Sequence, residues 1–187
     1  MDPSLKSALR AQALAARAAV QNRDVAEAAM NAHLAALLAR HPEVVVAGYV
    51  PMRGEADPRP ALSGHSGPVC LPVVMAPAAP LAFRLWRGGD ALEGGALGTT
   101  HPPESAPVVT PDIVVVPLAG FDGSGGRLGY GGGFYDRTLA QLRRAAPVLA
   151  VGFAFEAQRL PLIPVEDTDE PLDLIVTQSG CHSIARA

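Results

Sequence analysis

The residues best suited to chemistry crowd into one stretch, Leu118-Ala-Gly-Phe-Asp-Gly-Ser-Gly-Gly-Arg-Leu-Gly-Tyr-Gly-Gly-Gly-Phe-Tyr-Asp136. Glycines dominate it, Arg127 stands among them, and the apolar run Ile113-Val-Val-Val-Pro117 precedes it. A strand, a glycine loop and a helix start in that order make an anion site, because unpaired N–H groups and the positive helix end converge there. Glycine lets the backbone approach a ligand with no Cβ in the way. Arg127 offers a fork of donors matched to phosphate oxygens. A Walker A loop is excluded, since it needs Gly-Lys-Ser/Thr and the single lysine is Lys6. The dinucleotide fingerprint also fails. Counted from Gly123 and Gly125 its third glycine position is Leu128, and counted from Gly129 and Gly131 it is Phe134. The alternative to an anion site is a surface loop that binds nothing.

Three other groups could contribute. Lys6, Arg10 and Arg17 fall within roughly 40° of one another on a helix, a cationic ridge that could reach a polyanion. The same spacing fits a solvated face. Tyr49-Val-Pro-Met-Arg-Gly-Glu-Ala-Asp57 follows the first apolar run and places Glu55 and Asp57 where an α/β site would lie. Carboxylates there could bind an amide or cationic ring edge, or belong to a solvated loop. The segment 164–173 carries Glu166, Asp167, Asp169, Glu170 and Asp173. With Asp136 it could hold Mg²⁺, which takes one or two carboxylates plus nucleotide phosphates, or it is a charged turn. No Gly-x-Ser-x-Gly elbow occurs, and the five histidines lack metal-ligand spacing.

These groups need a scaffold. Residues 4–21 read as a helix with Leu5, Leu9, Ala16 and Val20 in one stripe and Ser4 as N-cap; a second runs from about Asp24, as cap, to Arg40 before Pro42. Short apolar runs over 43–50, 69–74, 81–86, 113–117, 148–153 and 174–177 read as strands, and 135–146 as a helix between the fourth and fifth. Continuous rather than alternating apolar strands predict an α/β fold: a mainly parallel central sheet with helices on both faces. The Gly/Pro-rich stretch 87–111 reads as a long loop. With 187 residues, 49% of them hydrophobic, the expectation is a single domain over 1–187. The formal charge of −3 without a basic run argues against nucleic acid. Cys70 and Cys181 form neither a disulfide framework nor a zinc set. No apolar h-region and no run near about 18 apolar residues appears, so neither export nor membrane insertion is expected, and the expected location is cytoplasmic.

Arg127-Leu-Gly-Tyr-Gly-Gly-Gly-Phe-Tyr-Asp-Arg137, after Ile113 to Asp122, resembles the signature of the 5-formyltetrahydrofolate cyclo-ligase (methenyltetrahydrofolate synthetase) family. Lys6-x-x-x-Arg10, the segment 51–62, Phe83-Arg-Leu-Trp86, Gln158, Ile163-Pro164 and the stretch 169–177 resemble its other motifs in order. The resemblance covers roughly residues 5–178. It implies ATP-dependent closure of 5-formyltetrahydrofolate to 5,10-methenyltetrahydrofolate, with ATP and Mg²⁺ as cofactors and small molecules as partners, in a monomer or weak homo-oligomer. It further implies that Lys6, Arg10, Arg127, Gly129, Tyr130, Gly131, Gly132, Gly133, Phe134 and Tyr135 bind ATP, with Arg127 and Tyr135 catalytic. Val50, Glu55 and Tyr135 would bind folate, and Asp136, Asp169 and Asp173 the metal. Pro58 stands where the family commonly has threonine, Thr168 where histidine is common, and Gly98-Thr-Thr-His-Pro-Pro103 replaces Gly-Ile-Pro-Glu-Pro. A non-catalytic nucleotide- or folate-binding regulatory module of the same family is the second reading.

Overall fold

The computed structural model describes residues 3–184, with side chains from Leu5 onward. Two helices come first, α1 (Pro3–Ala18) and α2 (Arg23–Leu38). The buried line of α1 is Leu9, Ala13 and Arg17, whereas Leu5, expected inside, is half exposed. Ser4 lies within the first turn rather than at the cap. The N-cap of α2 is Asn22 in a left-handed conformation, and Asp24 sits in the first turn, where its charge still favours the helix start. Met30, Leu34, Leu37 and Leu38 bury the inner face of α2.

The sheet that α2 covers is built from β1 (Val46–Ala47), β2 (Val69–Val73), β3 (Ala82–Leu85), β6 (Ile113–Pro117), β9 (Leu149–Phe153), β10 (Leu174–Thr177) and β11 (Gly180–Ser183). Its order is β11-β10-β9-β6-β1-β2-β3. The five inner strands are parallel, and β3 and β11 close the edges antiparallel. Ile113, Val115, Val151 and Phe153 pack toward α2. Val114, Val116 and Ala150 point the other way, onto Leu139 of α4 (Phe134–Ala145). Both faces are therefore apolar, and the runs read without alternation.

The smaller elements were not foreseen. A short α3 (Arg59–Ser63) follows β1, and Gly48 lets β1 pass close beneath it: a Cβ there would stand 2.1 Å from Leu62. The stretch 87–111 contains a hairpin, β4 (Glu93–Gly94) with β5 (Thr100–His101). The first half of the glycine stretch is a second hairpin, β7 (Gly120–Phe121) with β8 (Arg127–Leu128).

The β7–β8 turn is anchored by the buried Asp122. Its Oδ1 accepts from the Ser124 and Gly126 N–H groups at 2.9 and 3.0 Å and from the Ser124 hydroxyl at 2.7 Å, while Oδ2 accepts from Ile163 N–H at 2.7 Å. Buried Gln158 donates to the carbonyls of Leu118 and Ala119 at 2.7 and 2.9 Å, fixing where β6 leaves the sheet.

The order also locates the site. From β1 the chain crosses to β2 on one side, then returns to β6 on the other and continues outward. The topological switch lies between β1 and β6, and ligands of such sheets bind beyond the C-terminal strand ends at that point.

Candidate functional site

A cavity of about 1010 Å³ opens there, reached by Tyr49 and Val50 after β1 and by Val116 and Pro117 at the end of β6. Its size suits a large organic ligand beside a nucleotide. One wall is the glycine crown Gly129–Gly133 with Phe134, Tyr135 and Asp136 at the start of α4. Among the described residues, none of the crown's backbone N–H groups donates to another protein group. Two of its carbonyls accept from cavity-lining arginines: Arg10 Nε–H donates to Gly129 O at 2.6 Å, and Arg137 donates to Gly132 O. Gly131 and Gly133 have φ of +89° and +63°, which glycine adopts at no steric cost. The result is a concave set of donors at a helix N-terminus, the geometry that receives phosphate.

Arg127 stands behind the crown with only 7% of its side chain exposed. Nη2 is paired to Asp136 Oδ1 at 2.5 Å, and Nη1 is buried with no partner. Burial pulls the guanidinium below its ordinary pKa, with Asp136 and Asp169 opposing that shift. An unpaired buried donor of a cation is costly, and an anion on the crown would satisfy it. Lys6 lies on the same wall, 2.8 Å from Asp169 and 3.3 Å from Glu166. Burial lowers its pKa, but the two carboxylates outweigh that and hold it above the ordinary value.

The opposite wall holds one buried carboxylate. Glu55 is 9% exposed, and desolvation raises its pKa despite the bond its Oε2 accepts from Met52 N–H at 2.9 Å. The segment carrying it is tied down from several sides. Tyr49 donates to Ala56 O at 2.8 Å, and Arg23 to Gly54 O at 2.9 Å. Asn31 donates to Asp57 O and accepts from Ala61 N–H. Tyr135 lines the cavity from the start of α4, its hydroxyl pushed far above its usual pKa by burial, so it is a neutral donor.

The model for the 5-formyltetrahydrofolate cyclo-ligase family matches residues 3–178. The chain belongs to that family. A 5-formyltetrahydrofolate cyclo-ligase of Escherichia coli K12 is 47% identical over 70 residues, 36% of this chain and 37% of that protein's length. The relative from Mycolicibacterium smegmatis is 35% identical over 117 residues, 58% of this chain and 59% of its own. The solved 5,10-methenyltetrahydrofolate synthetase of Mycoplasma pneumoniae superposes with a TM-score of 0.72 at 25% identity, over 95% of this chain and 99% of that one. The Aquifex aeolicus synthetase does so with 0.75 at 25% identity, over 98% and 94%.

Within this cyclo-ligase fold the cavity gathers Lys6, Arg10, Val50, Glu55, Arg127, the crown, Tyr135, Asp136 and Asp169. Asp173 does not line it. Its carboxylate accepts from Arg143 at 2.9 Å and from Ala150 N–H at 2.7 Å, so it braces α4 against β9. Asp57 is likewise paired, with Arg59 at 2.7 Å. Sequence reasoning passed over Arg53 and Arg137, which line the cavity, and Leu97, Thr99 and Thr100 of the β4–β5 hairpin. No spacing signal marks them: Arg53 and the hairpin come in on connecting segments, and Arg137 is one of several arginines on α4. Arg17 of the ridge turned out to be buried, not solvated.

Proposed function

We propose that this chain uses ATP to cyclise 5-formyltetrahydrofolate to 5,10-methenyltetrahydrofolate, releasing ADP and phosphate. The observation that carries the reading is the unpaired Nη1–H of buried Arg127, behind a crown of free N–H groups and across one cavity from the buried Glu55. The formyl oxygen of the substrate is a poor leaving group. Transfer of the terminal phosphoryl group to it breaks the phosphoanhydride bond and leaves an imidate-like carbon. N10 attacks that carbon and gives up its proton to the departing phosphate, the C–O bond breaks, and phosphate leaves with the oxygen.

The protein's part is positioning and charge neutralisation. The crown and Arg127 receive the phosphates, Lys6 and Arg10 cover their outer side, and Glu55 accepts from the N–H groups of the pterin edge. Tyr135 donates to substrate beside the transferring group. Val50 packs on the ring.

Among the described residues no three acidic, His or Cys side chains form a ready cation cage. That fits Mg²⁺ carried in by nucleotide, since this ion needs only one or two carboxylates besides phosphate. Asp136 and Asp169 are those carboxylates, and when bound the ion neutralises phosphate charge. No described helix is long and apolar enough to cross a membrane. The enzyme acts in the cytoplasm as a monomer or weak homo-oligomer. Purified chain supplied with 5-formyltetrahydrofolate, ATP and Mg²⁺ should generate the methenyl chromophore. Nucleotide binding without any product would instead favour a non-catalytic binding module.

A further inference from the structure

Arg17 is 4% exposed, and its bonds go to two carbonyls and one hydroxyl rather than to a carboxylate. Nη2–H donates to Arg53 O at 2.7 Å, in the segment that carries Glu55. Nη1–H donates to the Tyr130 hydroxyl at 3.0 Å and lies 3.5 Å from Leu118 O, where β6 runs into the glycine stretch. Burying a guanidinium among such partners is expensive, and the arrangement persists only where it serves a specific geometry. Here that geometry is a planar fork with one tine on each wall of the cavity.

Tyr130 completes the link. It belongs to the crown, and its hydroxyl accepts from Arg17, whose other tine holds the Arg53 carbonyl two residues before Glu55. Its ring lies between two guanidinium groups, with Arg53 Cζ 5.0 Å and Arg17 Cζ 6.0 Å from the centroid. A hydrogen-bonded chain therefore runs from the Tyr130 hydroxyl through Arg17 to the Arg53 carbonyl of the Glu55 segment, and its crown end is a loop whose N–H groups are otherwise unpaired.

We propose that Arg17 is a positioning residue that, through Tyr130, makes occupancy of the crown and occupancy of the Glu55 wall favour each other. Phosphates on the crown fix the loop and the Tyr130 ring, and Arg17 passes that order to the Arg53 carbonyl two residues before Glu55. Folate held by Glu55 fixes the same segment from the other side. Because the dependence is a coupling free energy, it is reciprocal. The inference rests on the assignment of the two walls to nucleotide and folate.

Calorimetric titration of the full chain with 5-formyltetrahydrofolate, alone and with a saturating Mg²⁺ complex of a non-hydrolysable ATP analogue, tests it. In the wild type the nucleotide should tighten folate binding at least about fivefold. In Arg17→Gln and in Tyr130→Phe the ratio should fall to near one, and Arg17→Lys should recover part of it by keeping a cation without the fork. Tyr130→Phe removes one hydroxyl from a partly exposed loop, so it serves if Arg17→Gln does not fold. Wild-type ratios in Tyr130→Phe, or a wild type that binds both ligands with a ratio near one, would overturn the coupling and leave the functional reading intact. A wild type that binds neither ligand overturns both.

Discussion

The two walls of the cavity solve opposite electrostatic problems. The crown wall gathers cations that already have partners: Arg127 with Asp136, and Lys6 with Asp169 and Glu166. An incoming polyanion there exchanges one set of ion pairs for another, at little cost in desolvation. The Glu55 wall instead keeps a single carboxylate away from water, relieved by one backbone N–H. The first wall trades ion pairs and adds free donors, Arg127 Nη1–H among them, and the second offers one desolvated acceptor.

The sharpest way to break this contrast is Arg127→Ala. It removes a buried crown-side donor that lacks a partner, so kcat/KM for ATP should fall by about 10³-fold, as for loss of a charge-stabilising donor, while folate affinity survives. Unchanged ATP kinetics would dissolve the distinction. Glu55→Gln should come next. Loss of a charged acceptor is worth about 1.5–3 kcal/mol, which should weaken folate binding by about 10- to 100-fold in a direct titration and leave nucleotide affinity alone. Gly131→Ala is milder: no atom lies within 4 Å of its added methyl, so the penalty is backbone strain alone at φ +89°. A cost of about 1–2 kcal/mol should raise the KM for ATP about tenfold without lowering the melting temperature of the rest.

The smallest effect concerns stability. Glu55 has its pKa raised by burial, so the folded chain holds that proton more tightly than the unfolded one. Its contribution is present below the ordinary glutamate range and is lost as pH climbs through the raised folded value. Ligand-free Glu55→Gln should therefore melt higher than wild type near pH 7, and this advantage should vanish below about pH 4. A thermal-shift series across that range measures it. An advantage that grew on acidification would mean the carboxylate is stabilised where it sits.

The contrast also explains what the amino-acid sequence could show. The inner strands were legible because burial on two faces leaves continuous runs such as Ile113–Val116, and β6, β9 and β10 appear within a residue of expectation. The edge strand β11 was not, since Gly180-Cys-His-Ser183 pairs along one side only and carries no apolar run. The strand read over 43–50 shrinks to Val46–Ala47, because the residues beyond bend into the cavity wall as Tyr49 and Val50. The crown was legible from its glycines. Arg17 was not assignable from helical spacing, which sets its direction but not whether another segment covers it. Asp173 misled because acid clusters before a strand look alike whether they face a ligand or an arginine.

The buried Asp122 carries a last consequence. Four bonds converge on one carboxylate at the base of the β7–β8 turn, while the crown beyond Leu128 is held by single, separate bonds from Arg10, Arg17 and Arg137. The segment is accordingly a stiff stalk with a pliant cap. Amide deuterium uptake should be slow from Gly120 to Leu128 whatever is added, and should drop on loading the protein only across the five positions that follow.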